Sequence, residues 1–263
     1  MIDLHERLSE FSYGFGITRE MEARLADQGV HATPFLPNLR DEKKLAFDVG
    51  FKDKGVIVLL QFKLGHELQR FRAGKAMPTK PELQRPFWRF PIDTSGTQFK
   101  ILERHEKGGA RVLYAAPRFK TWREYDTAFQ TGKILEKSLM IKPSEIVAKL
   151  KVSDPKSVAG PHRVVYDDVA SFVCSEPVPI KGLSPEAVVN DISDRAGASD
   201  RTLAQLLNAL YDDRRKLTAA EKQRDQDIFS QANQREDALL EILSKDALAQ
   251  GAQMLFATKQ VNN

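Results

Sequence analysis

The sequence predicts an α/β fold with a mainly helical C-terminal region, and three observations carry that expectation. Residues 18 to 117 alternate helical and extended patterns in the order helix, strands, helix, strand. Val56 to Leu60 is an uninterrupted aliphatic run of the kind found in strands covered on both faces. From Ser184 onward, leucines recur at helical spacing. A chain of 263 residues, 41% apolar and 29% charged, is a soluble globular composition and long enough for a substantial core.

Taken in order, Thr18 can cap a first helix in which Ile17, Met21 and Leu25 form one stripe, ended by Gly29. Ser12 to Gly16, with two glycines and two aromatics, reads as a lead-in to it. His31 to Leu36 is broken by Pro34 and Pro37 and reads as irregular, followed by a polar turn. Strands are expected at Leu45 to Phe51 and Val56 to Phe62, joined by a tight hairpin at Lys52 to Gly55. Gly65 to Phe90 carries three prolines without a sustained period and reads as a long ordered insertion, whose end, Phe87 to Ile92, can hold a short strand. Ser95 or Thr97 caps a second helix, Gln98 to Lys107, stopped by Gly108 and Gly109, and Ala110 to Ala116 is the next strand. Short helices at 125–129 and 143–150 and strands at 163–166 and 171–174 complete a core over residues 1–180, with a basic insertion at 65–90. Residues 181–263 form the helical C-terminal region, in which 218–237 reads as a solvated helix.

The net charge of +4 hides an uneven distribution: residues 51–150 hold 20 basic and 10 acidic side chains, the remainder 20 and 26. A basic middle is the footprint of a polyanion partner, or else a solvated surface. In the insertion, His66, Arg70, Arg72, Lys75, Lys80, Arg85 and Arg89 stand among Phe71, Phe87, Trp88 and Phe90. Cations meet phosphates and exposed rings stack on bases, so Arg70, Arg72, Lys75, Arg85 and Arg89 are candidate nucleic-acid contacts, while the same rings can instead anchor the insertion to the core. Arg118, Lys120 and Arg123 can extend this surface. No apolar run approaches the roughly 20 residues of a membrane span. Met1 to Glu10 lacks the apolar stretch of a secretory signal, and a lone Cys174 allows no internal disulfide, so a reducing cytoplasm and no membrane are expected. His31, His105 and His162 lack companions at zinc spacing, Ser171 and Ser175 lack a nucleophile elbow, and there is no glycine–lysine phosphate loop. These patterns disfavour a zinc enzyme, a covalent hydrolase and an ATPase.

The informative constellation is Asp48 on one expected strand and Gln61-Phe62-Lys63 at the end of the next. Alternation puts Gln61 and Lys63 on one face, where Asp48 on a neighbouring strand can present its carboxylate. A lysine ending so apolar a strand is costly unless an anion or polar network receives it. The bland alternative is that Asp48 caps a turn, Gln61 bonds a sheet edge and Lys63 reaches solvent.

This spacing, with the element order from Thr18 to Pro117, resembles the PD-(D/E)XK (restriction-endonuclease-like) nuclease superfamily, in a D…QXK variant with Gln61 for the second acid. The resemblance covers roughly the first 120 residues, and only Phe87 to Ile92 can supply its third core strand. It implies a restriction-endonuclease-like core, αβββαβ with a mixed sheet flanked by helices, and Mg²⁺- or Mn²⁺-dependent hydrolysis of DNA, in defence against foreign DNA. It further implies that Asp48 holds the metal, that Gln61 and the Phe62 backbone carbonyl add oxygens, and that Lys63 orients water or stabilises charge. A neutral glutamine leaves room for a carboxylate from the first helix. Glu22 lies roughly 80° from the apolar stripe and Glu20 roughly 120°, which favours Glu22. Gln98 and Leu102 are distantly similar to a QXXXY element of one branch, without its tyrosine. Loss of the second acid also suits a catalytically inactive nucleic-acid-binding or adaptor protein. The stripe from Leu239 to Leu248 can serve a homodimer or an operon-encoded partner, or can pack back onto its own chain.

Overall fold

The computed structural model describes residues 8–35, 54–70, 81–153, 156, 158–174, 177–214, 218–232 and 234–259. Its elements run α1 (Glu10–Ala26), β1 (Val30–Phe35), β2 (Gly55–Phe62), β3 (His66–Leu68), β4 (Phe87–Asp93), α2 (Thr97–Lys107), β5 (Arg111–Pro117), α3 (Trp122–Gln130), β6 (Ser138–Ile141) and α4 (Pro143–Ser153). They continue with β7 (Pro161–Tyr166), β8 (Ser171–Cys174), β9 (Pro177–Pro179), α5 (Pro185–Ala198), α6 (Leu203–Asp212), α7 (Ala219–Gln231), α8 (Arg235–Ala249) and β10 (Ala252–Lys259). Strand order is β1-β10-β2-β5-β6 in a mixed sheet and β3-β4-β7-β8-β9 in an antiparallel one, an α/β architecture. Described residues within 1–21, 62–103 and 113–188 form one compact unit, and those within 22–61, 104–112 and 189–263 the other.

In the first unit, helix α1 begins at Glu10, a full two turns before the expected cap at Thr18. The Ser9 hydroxyl accepts the Ser12 N–H at 3.0 Å and so satisfies an orphan donor of the first turn. The stripe Tyr13, Ile17, Met21, Leu25 is wholly buried along the helix. Gly14 and Gly16, which read as a lead-in, lie inside the helix because neighbours come close to it. A Cβ on Gly14 would sit 2.6 Å from the Phe62 ring, and one on Gly16 would sit 2.4 Å from Ile134 Cδ1.

The antiparallel sheet of this unit is pinned by aromatic pairs. Phe90 meets Tyr114 and Tyr166 at 6.4 and 5.9 Å, Trp88 meets Tyr166 at 6.1 Å, and Phe99 meets Tyr114 at 6.2 Å. Phe87, Trp88 and Phe90 are all buried, so the rings expected partly as base-stacking surfaces are core instead. Their strand has the expected extent, but it pairs with β3 and β7 in the second sheet and is not the third strand of the first. The insertion thus contains regular structure at both described ends.

The second unit is built on β1, β10 and β2. Residues 30–35 form an antiparallel strand against β10 in spite of Pro34, because β1 is outermost among the described strands and a proline on an edge forfeits no ladder bond. The C-terminal region is not only helical: it ends in β10, which runs antiparallel to β2 from Gly55↔Thr258 to Ala252↔Gln61. A Cβ on Gly55 would lie 2.4 Å from the Ala257 carbonyl, so the start of β2 requires glycine. In strand order β2 stands between β10 and β5. The neighbour expected for it, residues 45–51 with Asp48, lies outside the described residues.

Helices α6, α7 and α8 are tied by charge as well as by leucine. Arg214, its side chain 8% exposed, bonds Asp225 and also Asp246 at 2.8 Å, and Arg224 bonds the same two carboxylates at 2.9 and 3.0 Å. The segment expected as a solvated helix therefore carries a buried carboxylate, and removing one partner of such a pair costs about 3–5 kcal/mol. Leu239, Leu240, Ile242 and Leu243 of α8 are buried within this chain, so this part of the stripe expected for a partner packs inward, while Leu248 at its end is 41% exposed.

Two outcomes are expected. Gly14→Ala lowers unfolding stability by about 1–3 kcal/mol in denaturant titration, although helix propensity alone favours alanine; a gain would mean that α1 does not approach Phe62. His105 on α2 is 7% exposed, and burial, reinforced by Arg104 and Arg214 against Asp213, lowers its pKa from 6.5 to about 4. The unfolded chain binds this proton first, so its contribution is complete above pH 6.5 and is lost as pH falls towards 4, at about 1.4 kcal/mol per unit. His105→Gln flattens the stability profile in that window; an unchanged profile would contradict the burial.

Candidate functional site

All eight residues of β2 are buried, as a Val/Ile/Leu strand covered on both faces demands. The chain leaves this environment at Lys63, whose N–H donates to the Ala115 carbonyl at 2.9 Å. Phe62 turns its ring towards α1, edge-to-face with Tyr13 at 5.9 Å. Lys63 follows it in sequence, and its Nζ donates to Gln98 Oε1 at 3.1 Å. Gln98 is the second residue of α2, and the next side chain, Phe99, is buried against Tyr114 and fixes that first turn.

The Lys63 side chain is half-buried, and loss of hydration pushes its amine below the usual lysine range; the carboxylate of Glu10, first residue of α1, acts in the opposite direction. Three element ends therefore act on one ammonium: β2, α1 and α2. A second cation, Arg118, follows β5, with its Nε donating to the Asp167 carbonyl at 2.8 Å and its guanidinium 5.9 Å from the Tyr166 ring. Burial lowers its pKa, with Tyr166 and Asp168 opposing. Lys120 pairs with Glu67 at 3.1 Å.

The residues singled out in sequence are placed as follows. Asp48, Arg72 and Lys75 lie outside the described residues. Gln61 is 1% exposed, and its Nε2 donates to the Gly251 carbonyl at 3.0 Å, holding the turn from α8 to β10. Gly251 has φ +68°, and a Cβ there would come 3.1 Å from that nitrogen. The Glu20 carboxylate accepts the Ile134 and Leu135 N–H groups at 2.7 and 3.1 Å. Glu22 is exposed on α1, roughly 18 Å of helix beyond Glu10. Arg70 and Arg85 are exposed, and Arg89, half-buried on β4, stands opposite His66 and Val165.

Among the described residues no three His, Cys, Asp or Glu side chains are placed to hold a metal ion. Among the described residues, too, no helix is long and apolar enough to cross a membrane. Sequence reasoning missed Glu10 because it started the helix at Thr18; the four-residue spacing of Tyr13, Ile17, Met21 and Leu25 was the available signal. Gln98 was signalled only by its distant similarity to the QXXXY element. Compared with known proteins, the chain matches no family model, no curated protein and no solved structure.

If Glu10 supports the charged form of Lys63, Glu10→Gln lowers the amine pKa further. Reaction of Lys63 with an acylating reagent at mildly alkaline pH, followed by peptide mass spectrometry, then rises relative to the parent. An unchanged rate would remove Glu10 from the site.

Proposed function

We propose that this chain is a metal-dependent nuclease acting on DNA, built on a restriction-endonuclease-like core, in which Lys63 is the cation that meets the phosphate. The observation that carries this reading is the half-buried Lys63 ammonium, hydrogen-bonded to Gln98 at 3.1 Å, where a wholly buried strand ends. Cleaving a phosphodiester requires a water in line with phosphorus and neutralisation of charge building on the phosphate oxygens. An ammonium already oriented in a partly desolvated niche does the second without reorganisation at the moment of reaction. Gln98 directs it, and Glu10 acts in favour of its charged form. Arg70, Arg85 and Arg89 are suited to hold the backbone of the nucleic acid. Mg²⁺, when bound, would supply Lewis-acid stabilisation through oxygen ligands, with Asp48 its expected anchor.

A second reading, a nucleic-acid-binding or adaptor protein without catalysis, is favoured by one observation. Gln61, the expected amide ligand, is 1% exposed and its Nε2 is committed to the Gly251 carbonyl at 3.0 Å.

Incubation of the purified chain with plasmid, linear and single-stranded DNA and RNA, with Mg²⁺ or Mn²⁺, separates the two. The nuclease reading expects cleavage that Lys63→Ala lowers about 10²-fold or more and Asp48→Ala abolishes, with a smaller loss for Gln98→Ala. Equal cleavage by parent and variants would exclude the site. Binding without cleavage under either metal would establish the adaptor reading.

A further inference from the structure

Helix α7, in the second unit, is fastened differently from the helices it rests on. α6 buries an apolar stripe from Leu203 to Leu210 and α8 one from Ala238 to Ala247, and the two helices lie against each other. Among the described residues of α7 only Asp225 and Ile228 are buried, and one of these is a carboxylate. Ile228 packs with Ala238 and Ile242 of α8, and the partly buried Phe229 meets Tyr211 of α6 edge-to-face at 5.6 Å. So little apolar burial leaves much of the attachment to charge.

The charged clasp is arranged so that it can be undone without stranding a buried charge. The Asp225 carboxylate, its side chain 3% exposed, accepts from Arg214, from Arg224 at 2.9 Å and from the Tyr211 hydroxyl at 3.5 Å. Arg214 also bonds Asp246 of α8 at 2.8 Å, and its own N–H donates to the Tyr211 carbonyl at the end of α6 at 3.0 Å. When α7 moves away it takes Asp225 and Arg224 into water, while Arg214 stays with α6 and keeps Asp246 as its partner. Desolvation of Asp225 in the closed state offsets much of its attraction to the two guanidinium groups, so the clasp fixes the position of α7 more than it adds net stability. An element that buries so little opens at a lower free energy than the helices beneath it.

We propose that α7 is a strap that opens as one unit, carrying Asp225 and Ile228 out of contact while Arg214 and Asp246 keep α6 joined to α8. Opening uncovers the sides of Ala238 and Ile242 on which Ile228 packs, together with the Tyr211 ring. The strap is independent of the nuclease reading.

Hydrogen exchange of the full chain at neutral pH, read by mass spectrometry and corrected for intrinsic rates, tests this. Amides of α7 exchange about ten-fold or more faster than those of α6 and α8. Asp225→Ala loosens α7 by about a further ten-fold and leaves α6 and α8 within about two-fold of the parent, because Arg214 retains Asp246. Limited trypsin digestion of the parent gives a second measurement that needs no substitution: cleavage after Lys222 and Arg224 in α7 precedes cleavage after Lys245 in α8. Equal protection of the three helices in the parent would overturn the proposal. So would first cleavage in α8, or an Asp225→Ala variant that either loosens all three helices together or leaves α7 as protected as before.

Discussion

The cost of ending a buried strand on a charged side chain organises the site. β2 needs its Val, Ile and Leu side chains to fill both faces, and nothing in that environment hydrates an ammonium. Lys63 is tolerated at its end because Gln98 accepts its hydrogen bond and Glu10 lies within electrostatic reach. Both partners sit on first turns of helices, where packing of the following residues, Phe99 on α2 and Tyr13 on α1, sets their direction. A lysine held this way remains strained by desolvation. An anion that approaches it relieves that cost.

The same strand explains why Gln61 and Lys63 are dissimilar although only two residues apart. Gln61 is still within the ladder and its amide nitrogen closes onto the Gly251 carbonyl, so its burial serves the turn between α8 and β10. Lys63 is just past the ladder, with one polar partner and a half-buried amine. Position along a strand, more than residue type, separates the group that stabilises the fold from the group that can act on a ligand.

Local pattern made much of this visible in the sequence. The aliphatic run of β2, the Gly-stopped helix α2, β5 and the late hairpin of β7 and β8 all follow from periodicity and breakers within a few residues of themselves. What stayed hidden depends on distant partners. Glycines at 14 and 16 read as a helix's lead-in until the Phe62 ring and Ile134 Cδ1 are seen against them. Pro34 reads as a breaker until its strand is seen to be outermost among the described strands. The pairing of β10 with β1 and β2 joins residues some two hundred positions apart, and no local signal specifies it. Glu10 was lost with the helix start, and Phe87, Trp88 and Phe90 changed from candidate surface to core once Tyr114 and Tyr166 were beside them.

The most direct measurement is the titration of the Lys63 amine by NMR, in a chain carrying ¹³C-labelled lysine and assigned by Lys63→Arg, with and without an uncleavable phosphodiester oligonucleotide. If this ammonium receives the phosphate, the oligonucleotide raises its pKa. A Lys63 titration that stays where it was, with the oligonucleotide demonstrably bound, would contradict the account.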